Sequence, residues 1–167
     1  LMSDTSYLDW PFLDDMHRDL ASRIARWAEA EIVPMAEDEP EDDGALDAAC
    51  KVMVRKLAAD GWLRYCVTAP HGGQFDRIDV RCLSLIRETL AYHSGLADFS
   101  FIMQGLGSGP ISIFGSDEQK ATFLPAIAAG ERIAAFALSE PDSGSDVAAM
   151  KTEATLDGDT YVLNGTK

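Results

Sequence analysis

The sequence contains few basic residues, and this deficit excludes some classes of partner. Fourteen Lys and Arg residues stand against 28 Asp and Glu residues, so the formal net charge is −14 at pH 7. A charge of this sign and size repels phosphate backbones and anionic lipid surfaces at long range. We therefore predict that nucleic acid is not a partner of this protein.

Cysteine is scarce and unpaired. Cys50, Cys66 and Cys82 are odd in number and widely spaced, and no C-x-x-C pair or histidine cluster of the kind that zinc needs accompanies them. We interpret them as reduced core thiols, and we expect a cytoplasmic protein without a metal site.

Long apolar runs are missing as well. No run approaches the roughly 20 residues of a membrane-spanning helix, and the N-terminus has no basic segment followed by an apolar one, as a signal peptide would have. We predict that the chain does not span a membrane.

What the sequence does contain is enough apolar material for a core, because 47% of its 167 residues are hydrophobic. Apolar residues recur at helical spacing through most of the chain, which predicts five helices. They span about 12–36, about 46–60, about 80–94, 97–114 and 117–129. The fourth is apolar on nearly every side and is expected to be buried. The acidic stretch Glu37–Asp43 is interpreted as a solvated connection, and Ser116 to Gln119 form a capping box before the fifth helix.

The pattern changes after Gly130. The short runs "RIAAFAL", "KTEATL" and "TYVLN" favour strands, and Asp157-Gly158 indicates a hairpin between the second and third. We predict a mainly α chain with a helical domain over residues 1–132 and the first strands of a second domain over 133–167. Three strands alone make a poor domain, so we expect the chain to be part of a longer one.

The stretch "ALSEPDSGSD", residues 137 to 146, carries more small hydrogen-bonding residues than a turn requires. A serine hydrolase is disfavoured because G-x-S-x-G is absent and His17, His71 and His93 have no spacing that indicates a base. A phosphate loop at Gly105-x-Gly107-x-Gly109 is disfavoured because the spacing is wrong and no strand precedes it. Uncharged donors in a loop suit a flat heteroaromatic edge or a pyrophosphate.

The pieces "GSDEQK", "LPAIAAGE", "ALSEPDSGSD" and "DGDTYVLNGTK" occur in the order and at the spacing of the acyl-CoA dehydrogenase family, which this chain resembles. The resemblance implies an all-helical N-terminal domain followed by a β-barrel-like middle domain. It also implies FAD as cofactor and the oxidation of an acyl-CoA thioester to the 2,3-enoyl-CoA, with the α-proton abstracted and the β-hydride passed to flavin N5.

The same resemblance implies which residues bind the cofactor. The loop lies along FAD, with backbone groups of Phe136 and Leu138 on the flavin and the Ser139 hydroxyl at its reactive edge. Ser145 lies where FAD and acyl-CoA meet, and Ala137 and Gly144 complete the cofactor set. The family commonly has threonine in place of Ser139 and Gly-Ala in place of Asp142-Ser143. The carboxylate of Asp142 therefore adds a negative charge near a pyrophosphate.

For the substrate, we consider Phe99, Ile102 and Met103 as a wall of the acyl pocket, and core packing is the alternative interpretation of these three residues. No catalytic residue is expected in this chain, because the resemblance places the glutamate base in a C-terminal domain. The implied partners are acyl-CoA, an electron-transfer flavoprotein or similar acceptor, and further copies of the chain in a tetramer or dimer. A non-catalytic subunit or a helical binding module of a heteromeric flavoprotein is the alternative function.

Overall fold

The computed structural model describes residues 4–36 and 42–167, so most of the predicted acidic connection, residues 37–41, lies outside the described part. The chain folds as two compact units, and the boundary between them lies between Ala135 and Phe136. The elements are α1 (Asp15–Glu31), α2 (Asp43–Ala59), α3 (Val80–His93), α4 (Gly95–Phe114), α5 (Asp117–Ala128), β1 (Glu153–Asp157) and β2 (Thr160–Asn164). The predicted mainly α class is confirmed.

Side-chain caps set the helix boundaries. The Asp79 carboxylate accepts the N–H groups of Arg81 and Cys82 at the start of α3, and the Ser94 hydroxyl accepts that of Ala97 at the start of α4. Such bonds satisfy amides that have no partner within the helix. The predicted capping box of α5 is confirmed: Ser116 Oγ accepts from Gln119 N at 3.2 Å, and Gln119 Oε1 accepts from Ser116 N at 2.8 Å.

The helical unit is built around α4. This helix packs against α2, α3 and α5, and α1 packs against α3. Among the largest fully buried side chains are Phe101, Leu20, Ile24, Leu57, Leu63, Ile86 and Leu90. The prediction that α4 is a buried helix holds for only part of its surface, because its neighbours in the described chain cover only part of its circumference. Phe99 is 58% exposed and Phe114 is 86% exposed.

The second unit contains an antiparallel hairpin. Strand β1 pairs with β2 in a register that sets Glu153 opposite Asn164 and Asp157 opposite Thr160. The turn uses Gly158, whose φ of 60° is costly for residues with a Cβ. The predicted hairpin is therefore confirmed.

The predicted first strand is wrong. Residues 132–138, the run "RIAAFAL", form no strand, and within the described chain no other segment pairs with them along their length. A run of β-compatible residues becomes a strand only when a neighbour supplies ladder hydrogen bonds. In the described residues, moreover, no helix is long and apolar enough to cross a bilayer.

Candidate functional site

The segment before the serine-rich loop is anchored by a buried glutamine of α4. Gln104 Nε2 donates to the Arg132 carbonyl at 3.0 Å, and Gln104 Oε1 accepts the N–H of Ala134 at 2.7 Å. The segment also lies close to the backbone of α4, since a Cβ on Gly107 would come within 2.7 Å of Ala135 N. The side chain of Gln104 thus supplies Arg132 and Ala134 with hydrogen bonds of the kind that a neighbouring strand would supply.

The loop that follows closes on itself. Glu140 and Ser143 exchange both backbone hydrogen bonds, at 2.8 and 3.1 Å. The buried Ser143 hydroxyl donates to the Asp146 carbonyl at 2.8 Å. This serine therefore has a structural role, which removes one of the three hydroxyls that made the loop unusual.

The other two hydroxyls are available. Ser139 and Ser145 are exposed, and neither side chain makes a hydrogen bond within the described part of the chain. The same holds for the backbone N–H groups of Phe136, Ala137, Leu138 and Ser139. A Cβ on Gly144 would meet no atom within 4 Å, so the backbone there is open to approach. The six predicted cofactor residues thus present donors and open space without a basic side chain among them.

The extra acid of the loop is neutralised. Asp142 Oδ2 accepts from Lys151 Nζ at 2.7 Å, and both side chains are largely exposed. An exposed pair of this kind adds little stability, but it compensates the carboxylate charge locally. Asp142, the acid at a position where the family commonly has glycine, is therefore paired with Lys151, nine residues later.

Glu140 binds three partners with its carboxylate. It accepts the backbone N–H groups of Lys151 at 2.6 Å and Thr152 at 3.1 Å, and it pairs with Lys167 Nζ at 3.0 Å. Hydrogen bonds from Thr152 and Lys151 lower the pKa of Glu140 to about 2, with Lys167 contributing. The glutamate is thus ionised at neutral pH and ties the loop to the residues before β1.

Three of the four predicted substrate residues share one face of α4. Phe99, Ile102 and Met103 are three and four positions apart, which brings their side chains together on a helix. The alternative interpretation as core packing is wrong for Phe99, which is exposed, while Ile102 and Met103 are half-buried. An apolar face remains accessible at these positions.

Two surface clefts are lined by residues other than Phe99, Ile102 and Met103. One of about 280 Å³ is lined by Pro110, Ile111, Phe114, Gly115, Gln119 and Phe123, and another of about 230 Å³ lies beside Trp10, Phe12 and Val80. Concave volume is the usual sign of a ligand site, but the polar side chains that line these clefts are already bonded within the chain. Gln119 belongs to the capping box of α5, Arg81 donates to Phe12 O, and Ser84 donates to Val80 O. The candidate ligand site is therefore the set of free donors in residues 136–145.

A group with metal-ligand chemistry occurs at the start of α3. Ligand atoms of His17, Asp79 and Cys82 lie within 4.8 Å of one another. These groups already serve other partners, however, because Asp79 pairs with Arg81 at 2.8 Å and His17 Nδ1 accepts the N–H of Asp14 at 3.0 Å. Burial raises the pKa of the Cys82 thiol to about 11, aided by Asp79. The cluster is a hydrogen-bonded connection between α1 and α3.

Sequence reasoning missed Gln104, Glu140 and Lys167. For Gln104 a signal was present, since a polar residue inside an apolar helix must find buried partners. For Glu140 and Lys167, 27 residues apart, no local pattern indicates the pairing.

Comparison with known proteins identifies the family. The model of the acyl-CoA dehydrogenase N-terminal domain matches residues 14–131. A 3-(aryl)acrylate reductase of Clostridium sporogenes is 35% identical over 93% of this chain. The human mitochondrial short-chain specific acyl-CoA dehydrogenase is 35% identical over the same share. The chain spans 40% and 36% of the lengths of these two relatives.

Solved structures agree with this result. An acyl-CoA dehydrogenase of Bacillus anthracis in complex with FAD matches with a TM-score of 0.73 and 32% identity, over 92% of this chain and 26% of that one. A glutaryl-CoA dehydrogenase of Mycobacterium smegmatis in complex with FADH2 matches with a TM-score of 0.77 and 28% identity, over 97% of this chain and 39% of that one. These complexes support FAD as the cofactor. This chain belongs to the acyl-CoA dehydrogenase family and carries its N-terminal domain.

Proposed function

We propose that the protein containing this chain is an FAD-dependent acyl-CoA dehydrogenase that oxidises an acyl-CoA thioester to the 2,3-enoyl-CoA. Family membership supports the reaction class. The observation on this chain that carries the proposal is the run from Phe136 to Ser139, which is exposed except for the half-buried Leu138. Its N–H groups and the serine hydroxyl have no partner among the described residues.

The chemistry of these donors fits a flavin. The edge of the isoalloxazine ring presents carbonyl oxygens and ring nitrogens, which accept hydrogen bonds from N–H and O–H groups. Asp142 does not oppose binding of a pyrophosphate by its charge alone, because Lys151 compensates it. The residues present are therefore suited to FAD.

Each predicted residue then has a defined task. Backbone groups of Phe136, Ala137 and Leu138 bind the flavin, and the Ser139 hydroxyl donates to its polar edge. Gly144 keeps the backbone open for close approach, and Ser145 contacts both FAD and acyl-CoA. When bound, FAD supplies the acceptor for the hydride that leaves the β-carbon.

The exposed face of α4 supplies the apolar contact for the substrate. Phe99, Ile102 and Met103 form one wall against the acyl tail and exclude water from it. Abstraction of the α-proton requires a carboxylate held over the substrate, and we assign no residue of this chain to that role. An electron-transfer flavoprotein as the electron acceptor and a homo-oligomeric assembly belong to the same proposal.

The direct test uses the complete protein. Anaerobic addition of a panel of acyl-CoA thioesters to the FAD-loaded protein is expected to bleach the flavin absorbance with at least one of them. A colourless protein that fails to bind added FAD would instead favour the alternative, a non-catalytic subunit of a heteromeric flavoprotein.

Removal of one hydroxyl tests the assignment of Ser139. We expect Ser139→Ala to slow flavin reduction by acyl-CoA about tenfold, because a hydrogen bond to a group that gains charge contributes about 1.4 kcal/mol. Stopped-flow absorbance measures the rate. Ser84→Ala, which removes an exposed hydroxyl from α3, is the matched control, and equal rates in the two variants would remove Ser139 from the cofactor edge.

A further inference from the structure

Lys167 binds the backbone of residues 136–139, the segment proposed to bind the flavin. Its ammonium group lies 2.9 Å from the Leu138 carbonyl, 3.0 Å from Glu140 Oε1 and 3.0 Å from Met150 Sδ. An ammonium group has three N–H donors, so all three are engaged. The side chain is thereby held in one position, although it belongs to a residue type that is usually mobile and solvated.

Glu140 keeps this lysine in place. Its side chain is only 5% exposed and is itself fixed by the two backbone N–H groups of Lys151 and Thr152. Its backbone is held by Ser143. The glutamate is therefore a rigid anionic anchor, and the lysine spans from this anchor to the Leu138 carbonyl.

The position of that carbonyl determines where the next N–H group points. The described chain contains no cis peptide bond, so the Ser139 N–H is directed away from the Leu138 carbonyl of the same peptide unit. With Lys167 on the carbonyl side, the N–H group lies on the opposite side. It makes no hydrogen bond within the described residues, and Ser139 is exposed.

From this geometry we propose that Lys167, anchored by Glu140, is a positioning residue that fixes the Leu138–Ser139 peptide with its N–H group free to donate to the flavin ring. The inference rests on the proposed function, since it needs FAD to bind at residues 136–139. It adds a role for two side chains outside the predicted cofactor set. Without the lysine, the Leu138–Ser139 peptide rotates more freely, and the Ser139 N–H group points toward the flavin ring for only part of the time.

The test measures FAD affinity in the complete protein. We expect Lys167→Met to raise the dissociation constant of FAD about tenfold and to shift the visible absorption bands of bound flavin, because one aligned hydrogen bond is lost. Lys167→Arg, which keeps a charged donor of similar reach, is expected to recover most of the affinity. Lys120→Met, the same substitution on α5, is the control and is expected to leave both quantities unchanged.

A second variant covers the case in which Lys167→Met does not fold, as judged by circular dichroism. Glu140→Gln removes the charge that holds the lysine and keeps an acceptor oxygen for one of the two N–H groups, and we expect it to weaken FAD binding about threefold.

The outcomes separate this inference from the proposed function. If the unmodified protein binds no FAD, both are overturned. If it binds FAD but the Lys167 and Glu140 variants bind it as tightly as Lys120→Met does, the positioning role alone is overturned. Loss of affinity in Lys167→Met and Lys167→Arg alike, without a change in the flavin spectrum, would indicate a merely structural lysine and would also overturn it.

Discussion

The carboxylate of Glu140 joins three segments of the second unit and makes that unit sensitive to acid. Its pKa in the folded chain is about 2, below the value of 4.5 that is usual for a glutamate. A group with a depressed pKa contributes stability that is present above its unfolded pKa and is lost as the pH falls toward the folded one. The contribution is thus complete at neutral pH and declines between about pH 5 and pH 2.

We therefore expect Glu140→Gln to lower the midpoint of thermal unfolding at pH 7 and to have a smaller effect at pH 3, where part of the contribution is already lost. Melting curves of both proteins at the two pH values measure the difference. Glu153→Gln, at an exposed position of β1, is the control. A deficit of the same size at pH 3 and pH 7 would contradict the assigned ionisation.

Gln104 is the buried polar residue whose loss is expected to matter most in the helical unit. Gln104→Leu keeps the side-chain volume approximately but leaves the Ala134 N–H and the Arg132 carbonyl without their partner. We expect a loss of about 1–3 kcal/mol in the free energy of unfolding, the usual cost of unsatisfied buried groups. Urea unfolding measures it, with Gln74→Leu at an exposed position as the control. Equal unfolding free energies would show that the two backbone groups find other partners.

At the scale of elements, the capping box of α5 gives a quantitative expectation. Ser116→Ala removes the acceptor for the Gln119 N–H at the helix start, which costs about 1 kcal/mol in typical helices. Thr122→Ala removes a hydroxyl from the same helix without touching the cap and is the control. Urea unfolding is again the measurement, and an unchanged free energy for Ser116→Ala would mean that the helix start contributes little to the stability of the unit.

The five helices could be predicted from the sequence more accurately than the run "RIAAFAL", which lies between α5 and the hairpin. Spacing of apolar residues and local caps define α1 to α5, because both signals lie within the element itself. The run "RIAAFAL" has strand propensity, but whether it pairs depends on neighbours that its own residues do not specify. Gln104, about 30 residues earlier, takes the first hydrogen bonds of that run instead.

The candidate site was predictable only in part for the same reason. Ser139, Gly144 and Ser145 stand out in the sequence as small polar residues in one loop. Ser143 looks the same in the sequence, yet its hydroxyl is used inside the loop by Asp146. The contacts of Glu140 with Lys167 and of Asp142 with Lys151 depend on the path of the loop, and no spacing rule indicates them.

At the scale of the whole molecule, the two units differ in how they are held together. The helical unit has one main apolar core and two smaller apolar clusters, whereas the strands of the second unit are exposed along their length. Hydrogen bonds and the charges of Glu140 and Lys167 therefore organise the second unit. A cofactor that binds residues 136–145 would add contacts where the chain has few of its own, so binding and local order are coupled.

Amide hydrogen exchange of the complete protein, with and without FAD, tests the central claim most directly. We expect FAD to slow exchange of the amides of residues 136–139, which have no hydrogen-bond partner among the described residues, more than exchange of the hairpin amides at 153–164. FAD binding that protects other segments and leaves residues 136–139 exchanging as fast as before would contradict it.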